Sequence, residues 1–225
     1  MHWLESWLLP AECVLTHQAS EGRDLSDDLV AEWSVPIEVC PQCCEPSKNS
    51  KLCGACLVSP PAFSRTQVGF YFDKELTDLV HGLKYSNKPH YARIVGELLA
   101  ERVDASGVEA IVAVPLFATR YRERGYNQAQ LIAETLSKEL GLPLINQAVF
   151  RIKDTPTQTH LTAKQRRQNL KKAFSVDNAQ LLEFKHIALI DDVMTTGATM
   201  QSLAQSILNQ TDIETVQAWS VAKTK

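Results

Sequence analysis

The sequence predicts an α/β protein, a mostly parallel sheet flanked by helices, with a small zinc-ribbon-like unit ahead of it. Three observations carry that expectation. Strand-like and helix-like segments alternate from residue 68 onward, the order that builds a parallel sheet. The run from Ile187 to Ile190 is apolar without polar alternation, as a strand covered on both faces requires. Ahead of residue 60, four of the six cysteines fall in the pattern C-x2-C-x9-C-x2-C.

At the N-terminus, "MHWLESWLLPAE" has no basic start and is interrupted by Glu5, so it does not read as a signal peptide. Trp3, Leu4, Trp7 and Leu8 can form an amphipathic turn, which more often docks on its own protein than on a membrane. No apolar run approaches the ~18 residues a membrane helix needs. Cytoplasm is the expected compartment.

Cys40, Cys43, Cys53 and Cys56 come next. Paired CxxC knuckles set thiolates one short turn apart, the arrangement that tetrahedral Zn²⁺ takes up. The alternatives are a disulfide pair, disfavoured without a secretion signal, or free buried thiols. Four sulfurs leave no open position for water, so the expected zinc is structural. Cys44 is spare, and Cys13 with His17 lacks a partner pair. A boundary near "VSPPAFS" separates residues 1–60 from residues 61–225, and no internal repeat is visible.

Beyond it, "VGFYF" (68–72) reads as a strand, and Leu76, Leu79, Val80 and Leu83 have helical spacing. Ile94, Val95, Leu98 and Leu99 repeat that spacing. "AIVAVPL" (110–116) is a buried strand, and Ala129, Ile132, Ala133, Leu136 and Leu140 mark a helix closed by Gly141. "LPLINQAVF" (142–150) reads as a further strand. Met200, Leu203, Ala204, Ile207 and Leu208 give the last helix, and "TVQAWSVA" (215–222) the last strand. Between 151 and 172 the chain lacks periodicity, the mark of a functional loop in a compact protein.

Charge says little globally: the formal net charge is −3 and the pI about 6.1. Locally it is segregated. Residues 1–38 hold eight acids and one arginine, whereas residues 151–172 hold seven Lys/Arg and one aspartate.

The most informative stretch is "IALIDDVMTTGAT" (187–199). Asp191 and Asp192 are expected at the carboxyl end of a central strand, where open α/β sheets bind ligands. The turn Thr195, Thr196, Gly197, Ala198 and Thr199 leads into a helix, so its amides make an anion nest. It carries no lysine and is not a nucleoside-triphosphatase loop. A phosphate for the nest and vicinal hydroxyls for the carboxylates describe a ribose 5-phosphate.

That stretch resembles the PRPP-binding motif of type I phosphoribosyltransferases and matches it at every position. With "CPQC", "CGAC", "PPAF", "HGLKY" (81–85), "VAVPLFATRYRERGYNQAQLIA" (112–133) and "QTHLTAKQRRQNLKKAF" (158–174), the chain resembles the competence protein F family and its GntX-like relatives over nearly its whole length. Members often carry two further CxxC knuckles ahead of the CPxC, of which only Cys13 and His17 are represented here.

The resemblance implies a type I phosphoribosyltransferase fold and a set of roles. Asp191 and Asp192 would hold the ribose hydroxyls, and residues 195–199 the 5-phosphate. Lys84 of "HGLKY" would belong to the PRPP site. Arg120 and Arg124 would serve as anion contacts on a pyrophosphate loop, with a solvated turn as the plainer reading. Arg166, with Lys164, Arg167, Lys171 and Lys172, would lie on a mobile flap; nucleic-acid phosphates or plain solvation are the other readings. Mg²⁺ would arrive with PRPP. The family name implies handling of imported single-stranded DNA beside DNA-uptake proteins, with Tyr121 and Tyr126 available for stacking. The alternative is a metabolic transferase passing ribose 5-phosphate from PRPP to a nitrogenous acceptor. Some members of the superfamily only sense PRPP, so transfer itself is left open.

Overall fold

Strand β1 (Arg65–Tyr71) is the first of four parallel strands whose order across the sheet is β1-β6-β5-β2. In this computed structural model, residues 12–20, 23–72, 74–153 and 173–224 are described. β2 is Ala110–Ala113, β5 His186–Met194 and β6 Thr215–Lys223. β5 lies between β6 and β2, and every residue from Ile187 to Ile190 is buried, which explains the missing polar alternation. Register places Asp191 beside Ser220, and both Met194 and Tyr71 beside Lys223. All four strands therefore end on one side.

The helices follow the expected spacing. α3 (Lys74–Tyr85) buries Leu76, Leu79, Val80 and Leu83; α4 (Tyr91–Ala100) buries Ile94, Val95, Leu98 and Leu99. α6 (Gln128–Leu140) starts at Asn127, whose side chain accepts the Ala129 N–H, and stops at left-handed Gly141. α4 and α6 approach closely: a Cβ added at Gly96 would meet Thr135 at 2.7 Å. α7 (Ala198–Gln210) buries Met200, Leu203, Ala204 and Ile207. Each large apolar side chain fully buried this way contributes roughly 1.5–3 kcal/mol. The result is the mixed α/β architecture, a mainly parallel sheet flanked by helices.

Two expectations change. Residues 142–150 do not form one strand: Leu144 makes a single parallel bridge to Ile111, then Val149–Arg151 (β3) pairs antiparallel with Phe174–Val176 (β4). Pro143 and Ile145 bond the main sheet, both at Ile111, and the hairpin forms a separate two-stranded sheet. The segment read as a loop after β2 forms a short helix, α5 (Ala118–Arg124), which buries none of its residues. Residues 154–172, including Arg166 and the rest of the basic stretch, lie outside the described residues, as does the Trp3–Leu8 stripe.

The N-terminal part holds a repeat that residue identities hide. The described residues of the segment 12–31 share the architecture of residues 39–58. Each begins with an antiparallel bridge, Glu12 to Ala19 and Val39 to Pro46. In each, a cysteine N–H bonds the carbonyl five residues on: Cys13 to Gln18 and Cys40 to Glu45. His17 (φ 57°) and Cys44 (φ 59°) both adopt the left-handed conformation, and each unit closes on a one-turn helix, α1 (Asp27–Ala31) and α2 (Gly54–Val58). Cys13, Thr16, Ser26 and Leu29 stand in the first unit where Cys40, Cys43, Cys53 and Cys56 stand in the second. Trp33 follows the first unit and packs edge-on against Phe70 of β1, 5.1 Å between centroids.

Candidate functional site

Where β5 emerges from the sheet, its backbone fixes two carboxylates. The Asp192 N–H donates to Asp191 Oδ1 (2.9 Å) and the Val193 N–H to Asp192 Oδ1 (2.6 Å), so each acid is oriented by the residue after it. Asp192 is buried, and its free oxygen Oδ2 receives Lys84 Nζ at 2.9 Å. α3 delivers that lysine from its last turn, across more than a hundred residues of chain. Burial, then the charge of Asp192, pushes Asp191 up to about 7, against the opposing pull of Lys84. Burial acts to lower Lys84, but Asp192 outweighs it and holds the ammonium above its ordinary value. One carboxylate is thus paired, and the other is poised to titrate near neutrality.

The turn after β5 lies alongside. Thr195 and Thr196 are exposed, and Gly197 takes φ 70° immediately before α7, a conformation a side chain would strain. The first amides of α7 have no intrahelical acceptor, so Ala198 and Thr199 present N–H groups at the positive end of a thirteen-residue helix. From β6, Lys223 is buried with its Nζ on the Thr195 carbonyl (3.1 Å) and on Glu45 Oε1 (2.8 Å). Glu45 follows Cys44 in the second cysteine unit, so this one ammonium ties the ribbon to the turn. Gln201 of α7 accepts the Ala62 N–H at 2.6 Å, which holds the segment just ahead of β1 against that helix. Sequence reasoning missed Lys223; its only signal is a single charge at the end of an otherwise uncharged strand.

Cys40, Cys43, Cys53 and Cys56 come together, all four sulfurs within 4.8 Å of one another. Tetrahedral zinc with ~2.3 Å bonds needs sulfurs about 3.8 Å apart; Cys43 and Cys53 are 3.6 Å apart. Burial works to raise Cys40, yet hydrogen bonds from the backbone of Cys53, Cys43 and Gln42 bring it down to about 6. Burial first, and then hydrogen bonds shared with the neighbouring thiols, push Cys43 up to about 11 and Cys56 higher still, where the Cys43 charge adds repulsion. A dication would relieve that repulsion. The donor set fits, and the cluster can hold a zinc ion. The first unit cannot do the same: Thr16, Ser26 and Leu29 replace three of the thiolates, and Cys13 is buried and bonded by Thr16.

Of the other expected residues, Arg120 and Arg124 lie on α5 rather than on an open loop. The Arg124 guanidinium sits 5.6 Å from the centroid of the Tyr85 ring. Tyr121 is half exposed, whereas Tyr126 is turned inward and its hydroxyl donates to the Leu83 carbonyl. Tyr85 was not singled out by sequence reasoning, yet its ring is two-thirds exposed beside Lys84. Among the described residues, no helix is long and apolar enough to cross a membrane.

No family model matches the chain. Individual relatives do. The DNA utilization protein YhgH of Salmonella typhimurium is 35% identical over 196 residues, covering 84% of this chain and 85% of that protein. Competence protein F of Haemophilus influenzae is 37% identical over 179 residues, 76% of this chain and 78% of that protein. Competence protein ComFC of Bacillus subtilis is more distant, 30% identical over 113 residues, half of this chain and 44% of its own length. At such identity over most of both chains, this protein belongs to the competence protein F family.

Proposed function

We propose that this chain is a PRPP-binding protein of the DNA-uptake machinery, handling incoming single-stranded DNA on the cytoplasmic side during natural transformation. One observation carries the PRPP half: an oriented aspartate pair near the end of β5, one member paired with Lys84, shortly ahead of a left-handed glycine turn at a helix N-terminus. Carboxylates suit vicinal ribose hydroxyls and repel phosphate; the turn does the reverse. The names of the relatives support the DNA half.

In this reading Asp191 and Asp192 accept the ribose hydroxyls, and the amides and hydroxyls of Thr195, Thr196, Gly197, Ala198 and Thr199 take the 5-phosphate. Lys84, Arg120 and Arg124 meet the diphosphate, and Arg166 closes over it from the segment outside the described residues. Mg²⁺ travels with the diphosphate, neutralising its charge. Residues 1–60 and 61–225 act as two units, the first braced by zinc. The second reading, a metabolic phosphoribosyltransferase, uses the same groups. A nitrogen nucleophile bonds to C1 and loses its proton, and the C1–O electron pair leaves with the diphosphate. Positioning and electrostatics supply such catalysis without a protein nucleophile.

Phosphorus NMR of Mg²⁺-PRPP with the protein separates the two. Pyrophosphate released only when a nucleobase or a single strand is added makes it a transferase of that acceptor. PRPP resonances that broaden without converting support binding alone, and unperturbed resonances refute both.

A further inference from the structure

A cleft of about 400 Å³ opens between the last turn of α3 and the end of α5. It is the size of a small-ligand site. Lys84, Tyr85, Arg122, Glu123, Arg124 and Tyr126 line it, three cations against one acid. Its walls are held together: the Tyr126 hydroxyl donates to the Leu83 carbonyl at 2.7 Å, and α5 ends on left-handed Gly125 (φ 83°). Tyr85 stands in it with its ring 67% exposed. The His81 ring, one helical turn back, supports it at 4.9 Å, and Arg124 lies over it. Holding an exposed aromatic ring against an imidazole and a guanidinium costs side-chain entropy that simple solvation does not repay. Lys84 lines the cleft, while its Nζ binds Asp192.

We propose that this cleft is a nucleobase site: a base stacks on Tyr85, and its phosphate meets Arg122. Stacking on a supported aromatic ring beside arginines is how proteins hold bases without reading sequence. Lys84 sets the base next to the ribose carboxylates. The inference deepens the function proposed above by placing its base, and it rests on the PRPP reading only for the neighbouring sugar. The base comes either from a single strand or as a free nucleobase or nucleotide.

The test uses the full chain with three probes: a labelled oligothymidylate by fluorescence anisotropy, and adenine and adenosine monophosphate by calorimetry. Tyr85→Ala should weaken whichever probe binds by ~10-fold or more, since a stacked base is worth about 1–3 kcal/mol, while Tyr85→Phe should keep most of the affinity. Arg122→Gln should flatten the salt dependence of oligonucleotide binding by about 0.7 in log–log slope, the loss of one phosphate contact. Binding of the oligonucleotide alone identifies a strand as occupant, and binding of adenine or the monophosphate identifies a small acceptor. A Tyr85→Ala protein that binds like wild type, or a wild type that binds none of the three, overturns the proposal. PRPP affinity, measured in parallel, should be unchanged in Tyr85→Ala, so a failed base site and a failed PRPP site give different results.

Discussion

Asp191 is held in two contrary ways, raised by burial and by Asp192 and lowered by Lys84. Its carboxyl is raised from 3.8 to about 7, by burial first and by Asp192 second. The unfolded chain therefore loses this proton near pH 4, while the folded chain keeps it to about pH 7. Folding is penalised progressively across that window, and the full penalty stands above it. Asp191→Asn should leave stability nearly unchanged below pH 4 and raise the melting temperature by a few degrees at pH 8, as thermal unfolding across pH will show. The same substitution should abolish any strengthening of PRPP binding between pH 6 and 8 that ionisation of Asp191 brings. Stability given up for a charge that a ligand uses is a common arrangement in binding sites. The pair was legible in the sequence because its chemistry is local: two acids close to the end of an apolar strand, shortly ahead of a glycine turn. Lys84 was legible only through its motif, without its partner Asp192, and Lys223 and Tyr85 were less legible, because Glu45, the Thr195 carbonyl and Arg124 lie far from them in sequence.

At the scale of elements, the two cysteine units make the clearest case. One keeps four converging sulfurs, and the other keeps the backbone with Cys13, Thr16, Ser26 and Leu29 in their places. Protein purified without chelator should therefore carry one zinc per chain by elemental analysis; two, or none, would contradict the geometry. Cys53→Ser should lose the metal and loosen residues 39–58, seen as earlier hydrogen exchange there. The repeat escaped sequence reading because it survives in hydrogen bonds and left-handed residues, while three of the four residue types changed. α5 escaped because it has no apolar face, and β4 because three residues are too few for a pattern. Longer elements with a 3.6-residue stripe, such as α3 and α6, were legible because their burial depends on that stripe. The tie between ribbon and turn is equally open to test. Lys223→Met frees the Thr195 carbonyl and leaves Glu45, itself half exposed, to water. About 1–2 kcal/mol should be lost, far less than for a fully buried pair, with the melting temperature ~2–6 °C lower.

Across the whole molecule, the sheet places the ends of β1, β5 and β6 on one side, so that α3, the turn before α7 and the cysteine ribbon meet there. Lys84 connects that meeting point to the cleft beside Tyr85, and Lys223 connects it to the ribbon. A ligand held by Asp191, Asp192 and the 195–199 turn would thus touch elements drawn from both ends of the chain. The most direct measurement is a calorimetric titration of Mg²⁺-PRPP into the wild-type chain and into the Asp191→Asn, Asp192→Asn double variant, with folding of both checked by circular dichroism. The expected result is saturable one-to-one binding to wild type and a loss of at least ~100-fold in the variant, from two charge-assisted contacts of about 1.5–3 kcal/mol each. Equal affinity in the two proteins, or no binding to wild type, would contradict the assignment of this site.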